Sequence, residues 1–181
     1  QNWDTCNLHT PQQPWFGQMS LPRELFVMDG RLFQKPVREL EALRGEEVRY
    51  ENITFTDSIR LEGVRGRKID MELSVRPGDG ENVYRKFAVR FAQDDTYQTS
   101  VDRKFSGSRR AIIHQRRCLV REDGGRIKIR IILDTFSAEV FVNDGEHVLS
   151  ATLYTNPEVG GISFYADGAV TMDVVKYELM I

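Results

Sequence analysis

The sequence has little of several things, and each scarcity excludes a class. Of 181 residues only two are cysteine, Cys6 and Cys118, far apart and without C-x-x-C spacing. A disulfide between them is neither excluded nor implied, and a metal site is not expected. The three histidines, His9, His114 and His147, are scattered and read as surface or hydrogen-bonded residues rather than ligands. Aliphatic runs reach only three residues, as in Ile131-Ile132-Leu133, far short of the roughly 20 needed to cross a bilayer. No membrane partner is therefore expected. No basic-then-apolar leader opens the chain, so no signal peptide is expected either. The first residue is Gln1, not Met, and a chain beginning Gln-Asn-Trp-Asp is expected to be cut or trimmed from something longer.

Charge of one sign is also lacking. Lys and Arg number 25 against 27 Asp and Glu, a formal net charge of −2, which excludes a general polyanion binder. The basic residues cluster, however: ten lie between Arg103 and Arg130, against Glu122 and Asp123. Such a stretch can be a footprint for nucleic acid. Alternation explains it more simply, as in Ile127-Lys128-Ile129-Arg130-Ile131, and no nucleic-acid motif accompanies it. No nucleic-acid partner is expected.

What remains is an ordinary globular composition, 40% hydrophobic and 29% charged, with a strong period of two. Ile69, Met71, Leu73 and Val75 alternate with Lys68, Asp70, Glu72, Ser74 and Arg76. Phe87, Val89 and Phe91 repeat the pattern, as do Ile127, Ile129 and Ile131, Val140 and Val142, and Val170, Met172 and Val174. These are half-buried strands with one face on a core. Turn chemistry separates them: Asp29-Gly30, Pro77-Gly78-Asp79-Gly80, Asp123-Gly124-Gly125, Asp144-Gly145 and Asp167-Gly168. Asp-Gly suits a hairpin turn that needs positive φ at both central residues. The fold class expected is all-β, an antiparallel sandwich. One helical segment interrupts it: Pro36 to Arg44 carries Val37, Leu40 and Leu43 at helical spacing, with Pro36 at a first-turn position and Gly45 as a stop. Residues 1–35 differ in character, holding Trp3 and Trp15 and three of the six prolines, so a boundary is placed near residues 34–45.

Specific residues gather at that boundary. Trp15-Phe16-Gly17-Gln18-Met19-Ser20-Leu21-Pro22-Arg23-Glu24-Leu25, followed by Asp29-Gly30, Leu32, Gln34, Pro36-Val37, Glu39-Leu40 and Leu43-Arg44, resembles the end of the catalytic domain of glycoside hydrolase family 32. These are the β-fructosidases: invertases, sucrose-6-phosphate hydrolases, levanases and inulinases. Ser100-Val101-Asp102-Arg103 is similar to the family's hydrophobic-Asp-Arg strand. Leu133-Asp134-Thr135-Phe136-Ser137-Ala138-Glu139-Val140-Phe141-Val142-Asn143-Asp144-Gly145 is similar to its late hairpin.

The resemblance implies a fold and a division. A five-bladed β-propeller carries catalysis in that family, and a C-terminal, jelly-roll-like β-sandwich packs against it. Residues 1–33 then correspond to the end of the last blade, 34–45 to a linker with a short helix, and 46–181 to the sandwich. It also implies a retaining reaction on the fructosyl bond of sucrose, sucrose 6-phosphate or fructan, which needs two carboxyl groups about 5–5.5 Å apart. The family draws its nucleophile, stabilising Asp and acid/base Glu from Asn-Asp-Pro, Arg-Asp-Pro and Glu-Cys motifs, and none of these occurs here. The chain alone is expected to have no catalytic residue and no cofactor, and to support its own N-terminal propeller. The implied compartment differs between relatives, cytoplasmic for a sucrose-phosphate hydrolase and secreted for a levanase.

Trp3 is the one candidate site residue. It resembles the last-blade aromatic that lines the fructosyl pocket, where a ring packs on a sugar's C–H face; a core Trp between blades is the alternative. Asp134 and Glu139, five apart, are not expected to form a catalytic pair: Asp134 reads as bonding backbone at a turn, Glu139 as the solvent side of a strand. Asp79, Glu81 and Asn82 offer too few ligands for calcium and read as a turn. Arg23 and Glu24 are candidates for ion pairs across the domain junction. Two other readings stay open, a carbohydrate-binding module and an oligomerising domain with a homodimer contact. The aromatics Tyr84, Tyr97, Tyr154 and Tyr165 form no sequence cluster that demands a sugar platform.

Overall fold

Alternation at this strength folds into nine antiparallel strands among the described residues. The computed structural model describes residues 19–79, 82–94, 118–120, 124–153 and 155–181. Strands β1 (Arg23–Met28) and β2 (Arg31–Pro36) form a hairpin that is a two-stranded sheet of its own. Its two-residue turn is Asp29-Gly30, with φ of 50° and 72°, as the dipeptide led one to expect. A short helix follows, then β3 (Arg44–Ile59), β4 (Ile69–Pro77), β5 (Phe87–Gln93), β6 (Ile127–Asp134), β7 (Ser137–Val142), β8 (His147–Thr152) and β9 (Gly161–Leu179). These seven strands are connected in the order β3-β9-β4-β6-β7-β8, with β5 joined to β9.

Two long strands turn this connected sheet into a sandwich. The second half of β9 pairs with β4 from Val170 to Glu178, whereas its first half pairs with β5 from Gly161 to Ala166. Strand β3 follows β9 through both halves, with three irregularities in register. Strands that pass from one layer to the other through bulges are how sheet corners are built. The corner falls at Asp167-Gly168, which sequence reasoning took for a turn. It lies inside β9: Phe55 pairs with Val170 and Asp57 with Ala166, so three residues of β9 stand against one of β3. Glycine is needed there because backbone crosses it. A Cβ on Gly168 would lie 2.7 Å from the carbonyl oxygen of Asn82 and 2.8 Å from the nitrogen of Tyr84.

The inner faces meet as the period of two requires. Ile69, Met71, Leu73 and Val75 of β4 pack with Ile131 and Leu133 of β6 and with Val170, Met172 and Val174 of β9, all buried. Phe164 and Ala166, also on β9, complete the core with Phe87, Val89 and Phe91 of β5 against it. Phe164 is fully buried, and Phe87 stacks on it with centroids 6.4 Å apart. The segment read as a helix over Pro36–Arg44 is shorter and tighter. Pro36 ends β2, and a 3₁₀ helix runs Arg38–Leu43 with an extended Val37 ahead of it. Gly45 is already in β3. Two turns of 3₁₀ helix are enough to bring Leu40 and Leu43 down onto the sheet.

Two outcomes test this architecture. Phe164→Ala lowers the unfolding free energy by about 3–5 kcal/mol in urea titrations, the cost of a large core cavity; a loss below about 1 kcal/mol contradicts its place at the centre. The Asp167 carboxylate accepts the backbone N–H groups of Lys86 (2.8 Å) and Arg85 (2.7 Å), which hold it below the usual aspartate range. A group depressed on folding stabilises above its unfolded pKa and loses that contribution as pH falls through the folded value. The melting-temperature difference between the parent chain and Asp167→Asn is therefore largest near neutrality and closes below about pH 4; a difference that persists there contradicts the assignment.

Candidate functional site

The outer face of the main layer is where the structure departs most from simple alternation. Asp70 lies on the charged side of β4, yet it is fully buried. Its carboxylate accepts from Arg44 (2.8 Å) and from Arg130 (2.9 and 2.7 Å), and Arg44 also reaches Glu72 on the same strand face. Arg44 stacks over the Tyr177 ring at 4.2 Å. Burial opposes the charge on Arg44, but hydrogen bonds to Glu72 and Asp70 outweigh it and raise its pKa. The same burial raises the Tyr177 phenol. Arg44 is the first residue of β3, so this network ties the end of the linker to the sheet.

A second buried carboxylate sits further along the same face. Glu139, expected on the solvent side of β7, is instead 3% exposed. That expectation is corrected: Glu139 does point away from the core, but Leu21 and the hairpin cover that face. It accepts the backbone N–H of Leu21 at 2.9 Å and Nη2 of Arg23 at 2.6 Å. Arg23 also donates to Ser150 (2.8 Å) and to Gln34 (3.0 Å), with its guanidinium over Phe141. Ile132 lies in register between the two carboxylates, and with Phe141 and Leu179 it is buried under Leu21, Leu40 and Leu43. The sheet is thus covered on both faces at this end, by the second layer inside and by linker and hairpin outside.

Two more contacts fix the hairpin. Arg31 pairs with Glu146 at 2.9 Å. Gly145, with φ of 94°, presses on β2 so closely that a Cβ would overlap the Gln34 carbonyl. Asp144-Gly145 was read as a hairpin turn, and it does join β7 to β8; its second role as a seat for β2 left no mark in the sequence.

The other sequence-derived candidates are soon placed. Asp134 bonds the N–H of Thr135 at 2.6 Å, the turn role expected of it. Arg23 pairs with Glu139 of β7, whereas Glu24 pairs with Arg38 in the short helix that follows the hairpin. Trp3, Trp15, Phe16, Cys6, Glu81, Tyr97, Tyr154 and Ser100–Arg103 lie outside the described residues. Among those that are described, no three His, Cys, Asp or Glu residues cluster as a metal would need. A groove of about 510 Å³ runs beside the linker, lined in part by Glu72, Ser74, Lys128, Arg130 and Asp173. Its carboxylates are engaged by cations: Asp173 by Arg76, Asp144 by Lys128, Glu72 by Arg44. Asp173 is lowered despite the opposing effect of burial, through Arg76 and the Asn52 N–H. The arrangement can hold chain segments together; it offers no free pair of carboxylates for acid–base work.

Comparison with known proteins follows the same lines. The family model described as "Glycosyl hydrolases family 32 C terminal" matches residues 39–180. A sucrose-6-phosphate hydrolase of Escherichia coli is 29% identical over 164 residues, covering 89% of this chain and 34% of that protein. A levanase of Bacillus subtilis is 30% identical over 187 residues, covering 91% and 27%. The chain thus spans about a third or less of these relatives. Among solved structures, an exo-inulinase from Aspergillus awamori superposes with a TM-score of 0.71 at 17% identity, over 98% of this chain and 38% of that one. A fructan 1-exohydrolase IIa from Cichorium intybus gives 0.67 at 16%, over 93% and 42%. At such identities these two superpositions establish the sandwich fold alone.

A contrast between two residues on one strand face tests the junction. Asp70→Ala strands two arginines in a covered site and lowers the unfolding free energy by about 3–5 kcal/mol. Ser74→Ala removes a buried hydroxyl that has no hydrogen-bond partner, and stability stays within about 1 kcal/mol or rises. Equal effects in denaturant titrations would contradict this account of the face.

Proposed function

The chain belongs to glycoside hydrolase family 32, and from that premise we propose that it is the C-terminal portion of a β-fructosidase, supporting a catalytic propeller that precedes it. The observation that carries the proposal is the match of the family's C-terminal model from residue 39 to residue 180. The substrates are those of the similar proteins, sucrose, sucrose 6-phosphate or levan-type fructans. The reaction is retaining hydrolysis of the fructosyl bond, which needs a nucleophilic carboxylate and an acid/base carboxyl about 5–5.5 Å apart. Both come from outside this chain. Its own candidates are occupied, Glu139 by Leu21 and Arg23 and Asp134 by Thr135.

In this reading residues 1–33 close the last blade, 34–45 form the linker and 46–181 the sandwich. The hairpin supports the division. Among the described residues its backbone ladder joins β1 only to β2, and Leu25, Val27 and Leu32 are 63%, 72% and 53% exposed on one face. Apolar strand faces of this kind normally meet another layer. Trp3 then lines the fructosyl pocket.

The experiment compares the 181-residue chain with a longer protein that carries the upstream domain. Incubated with sucrose, sucrose 6-phosphate and levan, the longer protein releases fructose from at least one and the chain alone from none. Turnover by the chain alone, or a longer protein inert on all three, overturns the proposal. In the active longer protein, Trp3→Ala lowers kcat/KM about 2–10-fold, the value of one ring contact; an unchanged kcat/KM removes Trp3 from the pocket.

A further inference from the structure

We propose that the hairpin Arg23–Pro36 and the linker are mechanically part of the sandwich, and that Glu139 and Gly145 are the positioning residues that set the hairpin's attitude. The premise is an energetic gap. A two-stranded hairpin is marginal in water by itself, and among the described residues β1 and β2 share no ladder with any other strand. Something outside its own hydrogen bonds must hold it, and three contacts along its length do so.

At its base, Glu139 grips the chain twice, through the Leu21 N–H (2.9 Å) and the Arg23 guanidinium (2.6 Å), across more than a hundred residues of sequence. Midway along β2, the Gln34 carbonyl rests on Gly145 with no room for a Cβ. Toward the turn, Arg31 meets Glu146. The linker has no slack either: the N–H of Val37 donates to the Pro22 carbonyl at 3.2 Å, tying the exit of β2 to the entry of β1. Leu40 and Leu43 are packed on the sheet below. Residues 34–45 are therefore a splint between hairpin and sandwich, not a swivel.

These contacts differ in kind. The Glu139 side chain is only 4% exposed, so its pairs are desolvated and geometrically exacting, whereas Arg31–Glu146 is open to water and adds little. Gly145 contributes no attraction; it sets a distance. One contact supplies the hold and another the spacing. Where the hairpin belongs to a propeller blade, which rests on the function proposed above, the sandwich acts as a jig that presents Leu25, Val27 and Leu32 to the layer packed against that blade.

Hydrogen–deuterium exchange of the 181-residue chain tests the clamp without substrate or activity, so its result stands apart from the fructosidase reading. In the parent chain the cross-strand amides of β1 and β2 are protected. Glu139→Ala lowers their protection by about 100-fold, while amides of β4, β6 and β9 keep theirs. Gly145→Ala has the same local effect, and Glu139→Gln, which still accepts from Leu21, restores part of it. If Glu139→Ala weakens the whole molecule, Gly145→Ala decides, with loss confined to the hairpin upholding the clamp. Hairpin amides unprotected in the parent chain, protection unchanged in both variants, or uniform loss in both would overturn it.

Discussion

Two carboxylates buried on the outer face of a sheet, Asp70 and Glu139, decide how the rest of this molecule is arranged. A strand face that carries acids is ordinarily left to water. Here each acid is covered, and each is matched by arginines from segments that arrive early in the chain: Arg44 from the linker's end for Asp70, Arg23 from the hairpin for Glu139. Burying a charge is expensive unless its partners are well placed, so these pairs tolerate few alternative positions of the covering segments. Ile132, in register between them, is buried with Phe141 and Leu179, and this cluster provides the apolar contact that the ion pairs orient.

The inner architecture follows from different physics and was easier to read. Residues alternating along β4, β6 and β9 could be sorted onto the core side from their spacing alone, since a period of two leaves no choice of face. Asp29-Gly30 announced its hairpin because two consecutive positive φ angles are needed there. Asp167-Gly168 used the same dipeptide for a sheet corner, and no local signal separates the two uses; what distinguishes them is that Asn82 and Tyr84 cross over the glycine. Glu139 failed for a related reason. Alternation correctly put it outside the core, but whether that side faces water depends on Leu21 and Arg23, over a hundred positions away. Gly145 is the same case in backbone form.

These features agree with a chain whose chemistry lies elsewhere. Glu139, which could have been read as catalytic, is spent on holding segments together, and the groove's carboxylates are engaged by cations. On the proposed function, what the sandwich contributes is rigidity and a defined placement of an apolar hairpin face. A catalytic domain attached to that hairpin would take its orientation from the sheet, through a handful of polar contacts and one glycine.

The central claim is that the covered ion pairs are strong and specific rather than incidental. A double-mutant cycle on Arg23 and Glu139 measures this directly: Arg23→Ala, Glu139→Ala and the double variant, each unfolded in urea at neutral pH. The account requires a coupling energy of about 1.5 kcal/mol or more, as desolvated charge pairs give. A coupling within about 0.5 kcal/mol of zero, the value for independent or water-screened residues, would contradict it.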